Sequence, residues 1–256
     1  MKFVRYEADG QISYGQLDED GTIHALRGCP FDVIEHSGDV TSLDRVELLA
    51  PVEQGRIIGV GLNYAAHAAE SGKEEPEMPM LFMLPFAAVI APEAPIIYPS
   101  QGRHVDFEGE LAVIIGHKTR RVSEADALDR VFGYACGNDL SERVIQRREM
   151  AMGAMLICKS FDTFKPLGPC IATGLDPTNL ELTTRLNGEI KQHSSTSDMI
   201  FPVAKLVAYI SEALTLLPGD VIMSGTPSGV GPVQSGDTVE IEISGIGLLR
   251  NPVIAE

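Results

Sequence analysis

Short runs of β-branched and apolar residues recur along most of the chain, and they predict a protein built mainly from strands. Leu111–Ile115 is one such run, bounded by a glycine, and it predicts a buried strand. Val131–Asp139 predicts a second buried strand, and residues 238–243 alternate between apolar and polar positions as a half-buried strand does. Asn187-Gly188 separates two further runs, which is typical of a hairpin with a type I′ turn.

Helical patterns are fewer and shorter. The sequence predicts a short helix that begins near Asn63, a possible N-cap residue, and stops at Gly72. An amphipathic pattern over residues 140–152 predicts a second helix, and residues 199–216 predict a third. The predicted fold class is therefore α+β and rich in β-structure.

The first 50 residues differ in pattern from the rest of the chain. Their short alternating runs are separated by the turn sequences Ala8-Asp-Gly10 and Asp18-Glu-Asp-Gly21, which predicts a small antiparallel meander. Residues 51–56 are predicted to link this part to the rest of the chain. We therefore predict a small N-terminal β unit at residues 1–50 and a larger unit at residues 51–256.

Three acidic residues stand at alternate positions around the start of the first buried run. Asp106, Glu108 and Glu110 would share one strand face, with neighbours about 6–7 Å apart. The same face continues into Ala112 and Ile114, which are expected to be buried. Partly desolvated carboxylates repel one another unless a cation neutralises them, and a hard divalent cation does so well. The alternative is a solvated acidic strand end that runs into the core, and this stretch alone does not decide between the two.

A fourth acid, Asp139, ends the second buried run. It could be a third acidic ligand carried on a neighbouring strand, or it could cap the helix that follows, with Glu142 as its capping partner. Arg143, Gln146 and Arg147 follow at helical i, i+3 and i+4 spacing. Side chains in that arrangement could grip a carboxylate-bearing substrate, or they could form an ordinary solvated helix face.

Two further stretches offer groups for chemistry. His67 and Glu70 are i and i+3 on the first predicted helix, where a carboxylate would fix the imidazole as a general base; an ordinary surface pair has the same spacing. Lys159 lies in an apolar run, so it needs a carboxylate or an anionic ligand nearby. The glycine-rich loop over residues 224–231 is not a Walker loop, but its backbone N–H groups could bind a carboxylate.

Composition narrows the classes of partner and compartment. A net charge of −16 argues against nucleic acid and anionic membranes as partners. The longest apolar stretch, residues 78–92, is too short to span a bilayer, and the first residues do not have the pattern of a signal peptide. The four cysteines form no CxxC pair, so we expect buried thiols in a cytoplasmic protein and a metal held by oxygen rather than sulfur.

Six motifs occur in a family-specific order from about Ile57 to the C-terminus. They are Gly61-Leu-Asn-Tyr-Ala-Ala-His67, residues 108–116, Gly137-Asn-Asp-Leu-Ser-Glu-Arg143, Lys159-Ser-Phe-Asp-Thr-Phe164 with Pro166-Leu-Gly-Pro169, Leu186-Asn-Gly-Glu189, and Leu217-Pro-Gly-Asp220 leading to Gly225-Thr-Pro-Ser-Gly-Val-Gly231. Together they resemble the fumarylacetoacetate hydrolase family. The resemblance implies a roll of mixed β-sheets with a small N-terminal β unit, usually a homodimer, that binds Mg²⁺, Mn²⁺ or, in crystals, Ca²⁺.

The resemblance also implies roles for individual residues. The metal ligands would be Glu108, Glu110 and Asp139, with Lys159 beside them. The pair His67 and Glu70 would lie on a mobile lid and act in catalysis. The carboxylate end of the substrate would be held by Arg143, Gln146 and Thr226.

The chain departs from the family pattern at one position near the site. Many relatives carry a tryptophan shortly before the lysine motif, whereas this chain has no tryptophan and offers the stretch Met152–Met155 there. The N-terminal unit is also shorter than that of the long eukaryotic members. The first difference bears on the size and shape of the substrate, not on the metal.

The resemblance predicts a metal-dependent hydrolase that cleaves a C–C bond in an acylpyruvate-like or fumarylpyruvate-like 1,3-dioxo acid. The metal would stabilise the departing enolate as a Lewis acid, and His67 would activate the attacking water. Two alternatives use the same metal enolate: a hydroxymuconate-type isomerase and a decarboxylase of oxaloacetate type. A non-catalytic metal-binding protein is an alternative from another class.

Overall fold

The N-terminal strands form an antiparallel meander in this computed structural model, which describes residues 1–256. The strands are β1 (Lys2–Ala8), β2 (Gln11–Leu17), β3 (Thr22–Leu26), β4 (His36–Ser42) and β5 (Glu47–Leu49). The meander does not stand apart, because β1 also pairs with a strand of the second part of the chain, with Lys2 opposite Ala172.

The rest of the chain contributes fifteen strands and all three α-helices. The strands are β6 (Ile57–Gly61), β7 (Met80–Leu84), β8 (Val89–Ile90), β9 (Ile96–Tyr98), β10 (Val105–Phe107), β11 (Gly109–Ile115), β12 (Val131–Asn138), β13 (Ser141–Glu142), β14 (Lys165–Ala172), β15 (Glu181–Leu186), β16 (Glu189–Ser195), β17 (Val221–Met223), β18 (Gly231–Pro232), β19 (Thr238–Ile243) and β20 (Gly247–Ala255). The helices are α1 (Ala65–Glu70), α2 (Arg143–Ala151) and α3 (Val203–Ala213).

Three sheets make up the fold, and the two larger ones contain both parallel and antiparallel pairings. The largest has the order β4-β3-β2-β1-β14-β12-β11-β17-β6-β7, with β5 on β1 and β8 on β14. A five-stranded sheet has the order β16-β15-β19-β20-β9, and a three-stranded sheet has the order β13-β10-β18. This mixed, β-rich architecture confirms the predicted fold class.

Strand β11 lies at the centre of the largest sheet and is buried on both faces. Leu111 and Val113 join one hydrophobic cluster, whereas Ala112 and Ile114 join another on the opposite face. The β-branched run therefore forms the two-sided core strand that its sequence favours. Gly109 begins this strand, where a Cβ atom would lie only 2.1 Å from Thr184 Oγ1, so the sheets approach too closely for a side chain.

Several local predictions are resolved by the helix ends and turns. Glu142, not Asp139, caps α2, because its carboxylate accepts a hydrogen bond from the Ile145 N–H. The prediction that Asn63 caps α1 is wrong: its side chain instead bonds the backbone of Phe201 and Ser224, which ties the strand end to the neighbouring loop. None of the three helices has the length and apolar character needed to cross a membrane.

Candidate metal centre

The pairing of β11 with β12 brings three acids to one point. Gly109 lies opposite Asn138, and the Asp139 N–H donates to the Glu108 carbonyl at 2.9 Å. Glu108 and Glu110 adjoin Gly109, and Asp139 adjoins Asn138, so the pairing brings the three acids together. One carboxylate oxygen from each of them lies within 4.8 Å of the other two. All three side chains are buried. A carboxylate cluster therefore exists where two adjacent strands end.

Asp106 does not join that cluster. It lies on β10 in the three-stranded sheet, and its carboxylate contacts His104 Nε2 at 2.8 Å and Arg143 Nε at 2.6 Å. The chain changes sheet between β10 and β11, so the simple alternation along one strand does not continue through Glu108. The neighbouring strand supplies the third acid of the cluster in place of Asp106.

Lys159 lies between two of the clustered acids. Its ammonium donates to Glu108 Oε2 at 2.9 Å, to Asp139 Oδ2 at 2.6 Å and to Ser141 Oγ at 2.7 Å. Burial alone would lower the pKa of Lys159, but the attraction of Asp139 and Glu108 prevails and raises it. The buried lysine has the carboxylate partners that its apolar surroundings required.

A second buried lysine, Lys165, reaches the same cluster from β14. Its Nζ lies 2.7 Å from Asp139 Oδ1 and donates to the carbonyl oxygens of Leu140 at 3.1 Å and Phe164 at 2.9 Å. Burial lowers the pKa of Lys165 against the pull of Asp139. Sequence reasoning missed this residue, although a second lysine in the same apolar run was the available signal.

The two glutamates of the cluster have opposite electrostatic environments. Burial would raise the pKa of Glu108, but the charges of Lys159 and Arg143 outweigh it and lower the pKa to about 2. Burial raises the pKa of Glu110, and the negative charges of Asp139 and Glu108 raise it further. No lysine, arginine or histidine forms an ion pair with Glu110. It is the acid in the cluster that most lacks a positive partner.

Arg143, on the first turn of α2, is held by the chain's own groups. Its guanidinium contacts Asp106 through Nε, Glu108 through Nη2 at 2.7 Å, and Gln146 Oε1 through Nη1 at 2.9 Å. The attraction of these acids raises the pKa of Arg143 in spite of burial. The i, i+3 spacing, from which we predicted binding of a substrate carboxylate, thus brings Arg143 and Gln146 together beside Glu108.

The glycine-rich loop after β17 binds carboxylates, as its exposed N–H groups suggested, but they belong to this chain. The Gly225 N–H donates to Glu110 at 2.9 Å, and the Gly229 N–H donates to both Glu70 oxygens at 3.1 and 3.2 Å. Glu70 lies 3.4 Å from Nδ1 of the buried His67. The loop therefore fixes Glu110 and ties the His67–Glu70 pair to the same side of the molecule.

Thr226, in the same loop, is also buried beside the cluster. Its hydroxyl donates to the Gly109 carbonyl at 2.8 Å and accepts a bond from Gln192 Nε2 at 2.7 Å. Gln192 Oε1 in turn accepts from the Gly109 N–H at 3.0 Å. Gln192, which sequence reasoning did not single out, thus joins β16, the loop and the start of β11.

A cleft of about 460 Å³ opens onto these residues. Of the nine residues to which the family resemblance assigns roles, eight line the cleft, and Asp139 does not. One wall is apolar and contains Met80, Phe82, Met150, Met155 and Val230. The rim contains the cations Lys73 and Arg147, neither of which forms a salt bridge. The cleft combines an acidic floor, an apolar wall and a cationic rim.

Glu149 fastens the loop that carries Lys159 to helix α2. Its carboxylate accepts hydrogen bonds from the backbone N–H groups of Leu156 at 3.0 Å, Ile157 at 2.8 Å and Cys158 at 3.1 Å. The hydrogen bonds from Cys158, Leu156 and Ile157 outweigh desolvation and lower the pKa of Glu149. These hydrogen bonds were not predictable from the sequence pattern, because they join an acid to backbone groups 7–9 residues away.

The carboxylate cluster fits a hard divalent cation. Oxygens on opposite sides of an ion bound at about 2.0–2.6 Å lie about 4–5 Å apart, which matches the spread of the three acids. Glu110 forms no ion pair and accepts a hydrogen bond only from the Gly225 N–H, so a buried carboxylate is left for a cation to neutralise. The donor set contains oxygen only, which suits Mg²⁺ and Mn²⁺.

Comparison with known families agrees with this arrangement. Residues 56–254 match the model of the fumarylacetoacetate (FAA) hydrolase C-terminal domain. The chain belongs to the fumarylacetoacetate hydrolase family. Residues 1–51 match a second model, that of the Rv2993c-like N-terminal domain.

Similar proteins in this family have more than one activity. The 2,4-didehydro-3-deoxy-L-rhamnonate hydrolase of Sphingomonas sp. is 38% identical over 99% of this chain and 96% of that protein. The crystal structure of 5-carboxymethyl-2-hydroxymuconate delta-isomerase from Mycobacterium smegmatis has a TM-score of 0.93, with 41% identity over all of both chains. Maleylpyruvate hydrolase from Sphingobium sp., solved with manganese(II) and pyruvate, has a TM-score of 0.82, with 28% identity over 100% of this chain and 99% of that one.

Proposed function

We propose that this protein is a divalent-metal-dependent hydrolase that cleaves a C–C bond in an acylpyruvate-like or fumarylpyruvate-like 1,3-dioxo acid. The observation that carries the proposal is the buried cluster of Glu108, Glu110 and Asp139 at the base of a cleft that also contains His67 and Lys159. A structure of a related hydrolase holds manganese(II) and pyruvate, the product expected from such a substrate.

The acids would hold the metal ion, and the remaining groups would handle protons and charge. A divalent ion held by Glu108, Glu110 and Asp139 would supply Lewis-acid stabilisation of a developing enolate. The ammonium of Lys159 adds a fixed positive charge beside that position.

His67 would take a proton from water. Glu70 lies 3.4 Å from His67 Nδ1 and would hold the ring as its general-base tautomer. Attack of the water oxygen on the distal carbonyl forms the new C–O bond. The C–C bond then breaks, releasing a carboxylic acid and the enolate of the 2-oxo acid, which is protonated to pyruvate or its analogue.

Groups around the cleft support an anionic substrate with an apolar segment. Arg143, Gln146 and Thr226 line the cleft and remain our proposed contacts for the 2-oxo acid end. Because Arg143 is already bound to Asp106 and Glu108, it would have to share its guanidinium with the substrate carboxylate. The unpaired cations Lys73 and Arg147 favour negative charge at the rim.

Isomerisation of a hydroxymuconate-type diacid is the second candidate. Its support is the delta-isomerase structure, which has 41% identity over the full chain. An isomerase moves a proton and a double bond without attack by water. The same acids would hold the ion, so the metal cluster alone does not distinguish the two reactions.

Product analysis on a small panel separates the candidates. Purified enzyme with Mg²⁺ or Mn²⁺ is incubated with an acylpyruvate, fumarylpyruvate, a hydroxymuconate and oxaloacetate. We expect acylpyruvate or fumarylpyruvate to yield pyruvate, and His67→Ala to lower that rate by about 10²–10⁴-fold. If the hydroxymuconate alone reacts, the protein is an isomerase. Decarboxylation of oxaloacetate that survives in His67→Ala would indicate metal-driven chemistry without hydrolysis.

We further propose Mg²⁺ or Mn²⁺ as the physiological ion, a homodimer as the assembly and the cytoplasm as the location. Hard oxygen donors support the choice of ion. Three of the four cysteines are buried and none is paired, which suits a reducing compartment. Size-exclusion chromatography with light scattering tests the dimer.

A further inference from the structure

Asp139 has a lysine on each of its carboxylate oxygens. Lys159 donates to Oδ2 at 2.6 Å from the side that faces the cleft, and Lys165 lies 2.7 Å from Oδ1. The two lysines differ in position: Lys159 lines the cleft, whereas Lys165 does not. A ligand in the cleft therefore meets Lys159 but not Lys165.

Lys165 is fixed in place. It is 2% exposed, and its Nζ donates to the carbonyl oxygens of Leu140 and Phe164 at 3.1 and 2.9 Å. The Phe164 ring lies 5.8 Å from Nζ. Every polar neighbour of Nζ is an oxygen that accepts, which is the environment of a charged ammonium with three N–H donors.

This fixed charge has two opposing consequences for the acids. Without metal, it offsets part of the repulsion among Asp106, Glu108, Glu110 and Asp139, for which Arg143, Lys159 and Lys165 supply three positive charges. With a divalent ion on Asp139, the same charge repels the ion across a single carboxylate, in a buried site where screening is weak.

We propose that Lys165 sets the metal affinity of the site: it weakens binding of the divalent ion and stabilises the metal-free protein. This inference rests on the proposed metal site. Lys165 does not line the cleft, so it would act through Asp139 as a positioning residue. Because of the Lys165 charge, we expect the bound metal ion to exchange readily with ions in solution.

Metal affinity measured directly tests the inference. Mn²⁺ binding is followed by calorimetry and by electron paramagnetic resonance for the wild type, Lys165→Met and Lys165→Gln. The exposed Lys118→Met serves as a matched control. We expect both substitutions at 165 to tighten the Kd by at least about tenfold and Lys118→Met to leave it unchanged. Structural damage from the substitution would weaken Mn²⁺ binding, so a lower Kd cannot be explained by misfolding.

Thermal unfolding provides the second readout. We expect the metal-free Lys165 variants to melt below the metal-free wild type, and the gap between metal-free and Mn²⁺-loaded protein to widen. If a variant is unfolded without metal, the Mn²⁺ concentration that restores its circular dichroism replaces the Kd. If the variant regains its circular dichroism at a Mn²⁺ concentration below the wild-type Kd, the inference is supported. If Mn²⁺ does not restore the signal, the inference is contradicted.

The possible failures are distinct. If the wild type binds no Mn²⁺, the metal site and the proposed function both fall. If the wild type binds Mn²⁺ and the Lys165 variants bind it equally or more weakly, only the role of Lys165 is overturned.

Discussion

At the scale of single residues, the site is a balance of buried charges. Glu108 is held between Lys159 and Arg143, which keeps its pKa at about 2. Glu110 forms no ion pair, and for its pKa the effects of burial and of the negative Asp139 and Glu108 outweigh those of Lys159 and the Gly225 N–H. A buried charge without a partner is costly, so each member of such a network depends on the others. Glu110 is the point at which an added cation relieves the most repulsion.

Replacing Lys159 by methionine removes the ammonium that joins Glu108 and Asp139. Breaking a buried ion pair on one side costs about 3–5 kcal/mol, so the metal-free variant is expected to unfold at clearly lower urea concentration. Turnover should fall by about 10²–10³-fold because a fixed positive charge beside the oxyanion is lost. Lys205→Met, an exposed change on α3, is the control, and equal stability of the two variants would contradict the account.

The pH dependence of stability follows from Glu110. Its raised pKa in the metal-free protein means that the native state keeps a proton that the unfolded chain releases just above the ordinary pKa of 4.5. This stabilisation is complete below the ordinary pKa and is lost as pH rises through the raised value. The free energy of unfolding of the wild type should therefore fall relative to that of Glu110→Gln as pH rises.

Urea denaturation of both metal-free proteins between about pH 5 and pH 8 measures this difference. The same proton competes with the metal, so Mn²⁺ should bind the wild type more tightly as pH rises. A wild type and Glu110→Gln variant with parallel pH profiles would show that Glu110 is ionised throughout, against the environment that the structure gives it.

The need of a single residue for a partner was predictable where the residue type conflicted with its neighbours in sequence. The isolated charge of Lys159 in an apolar run predicted a carboxylate partner, and Glu108 supplies it. The contribution of Lys165 was missed because its partner Asp139 is reached only through the pairing of separate strands. The positions of Glu108, Glu110 and Asp139 are observed, and their roles as ligands stay predictions.

At the scale of secondary-structure elements, the register of β11 against β12 determines the site. Gly109 opposite Asn138 places the acids that follow on adjacent strands side by side. A shift by one residue would turn Glu110 and the buried Ala112 to the opposite face, so the hydrophobic core on both faces of β11 enforces the register. The position of the acids is thus secured by apolar packing.

Helix α2 has a comparable effect on the loop that carries Lys159. Glu149→Gln would weaken the hydrogen bonds from three consecutive backbone N–H groups, since a charged acceptor is lost. We expect a loss of about 1–3 kcal/mol and faster hydrogen exchange at residues 156–158. Exchange in the central strand β11 should not change. Unaltered exchange at 156–158 would show that Glu149 does not hold the loop.

The elements themselves were largely predictable from local pattern. The two buried strands and the Asn187-Gly188 hairpin are confirmed, because β-branched runs and turn residues act locally. The change of sheet between β10 and β11 was not predicted. It depends on contacts of Asp106 and His104 with Arg143 and β13, which no periodicity along one segment reveals.

At the scale of the whole molecule, charge is distributed unevenly. The chain carries a net charge of −16, yet the cleft is lined by the half-buried Arg143 and the buried Lys159, with the unpaired Lys73 and Arg147 at its rim. This arrangement favours an anionic small molecule at the cleft and repels polyanions elsewhere. The division at residue 50 stays a prediction, since β1 pairs with β14 across it.

The central claim is that Glu108, Glu110 and Asp139 hold an ion required for turnover. The direct measurement is the rate of acylpyruvate cleavage against free Mg²⁺, for chelator-stripped wild type and Glu110→Gln, with the exposed Glu181→Gln as control. We expect no rate in chelator, saturable recovery for the wild type and control, and at least about 100-fold more metal required by Glu110→Gln. Full activity in chelator, or the same metal dependence in Glu110→Gln, would contradict the account.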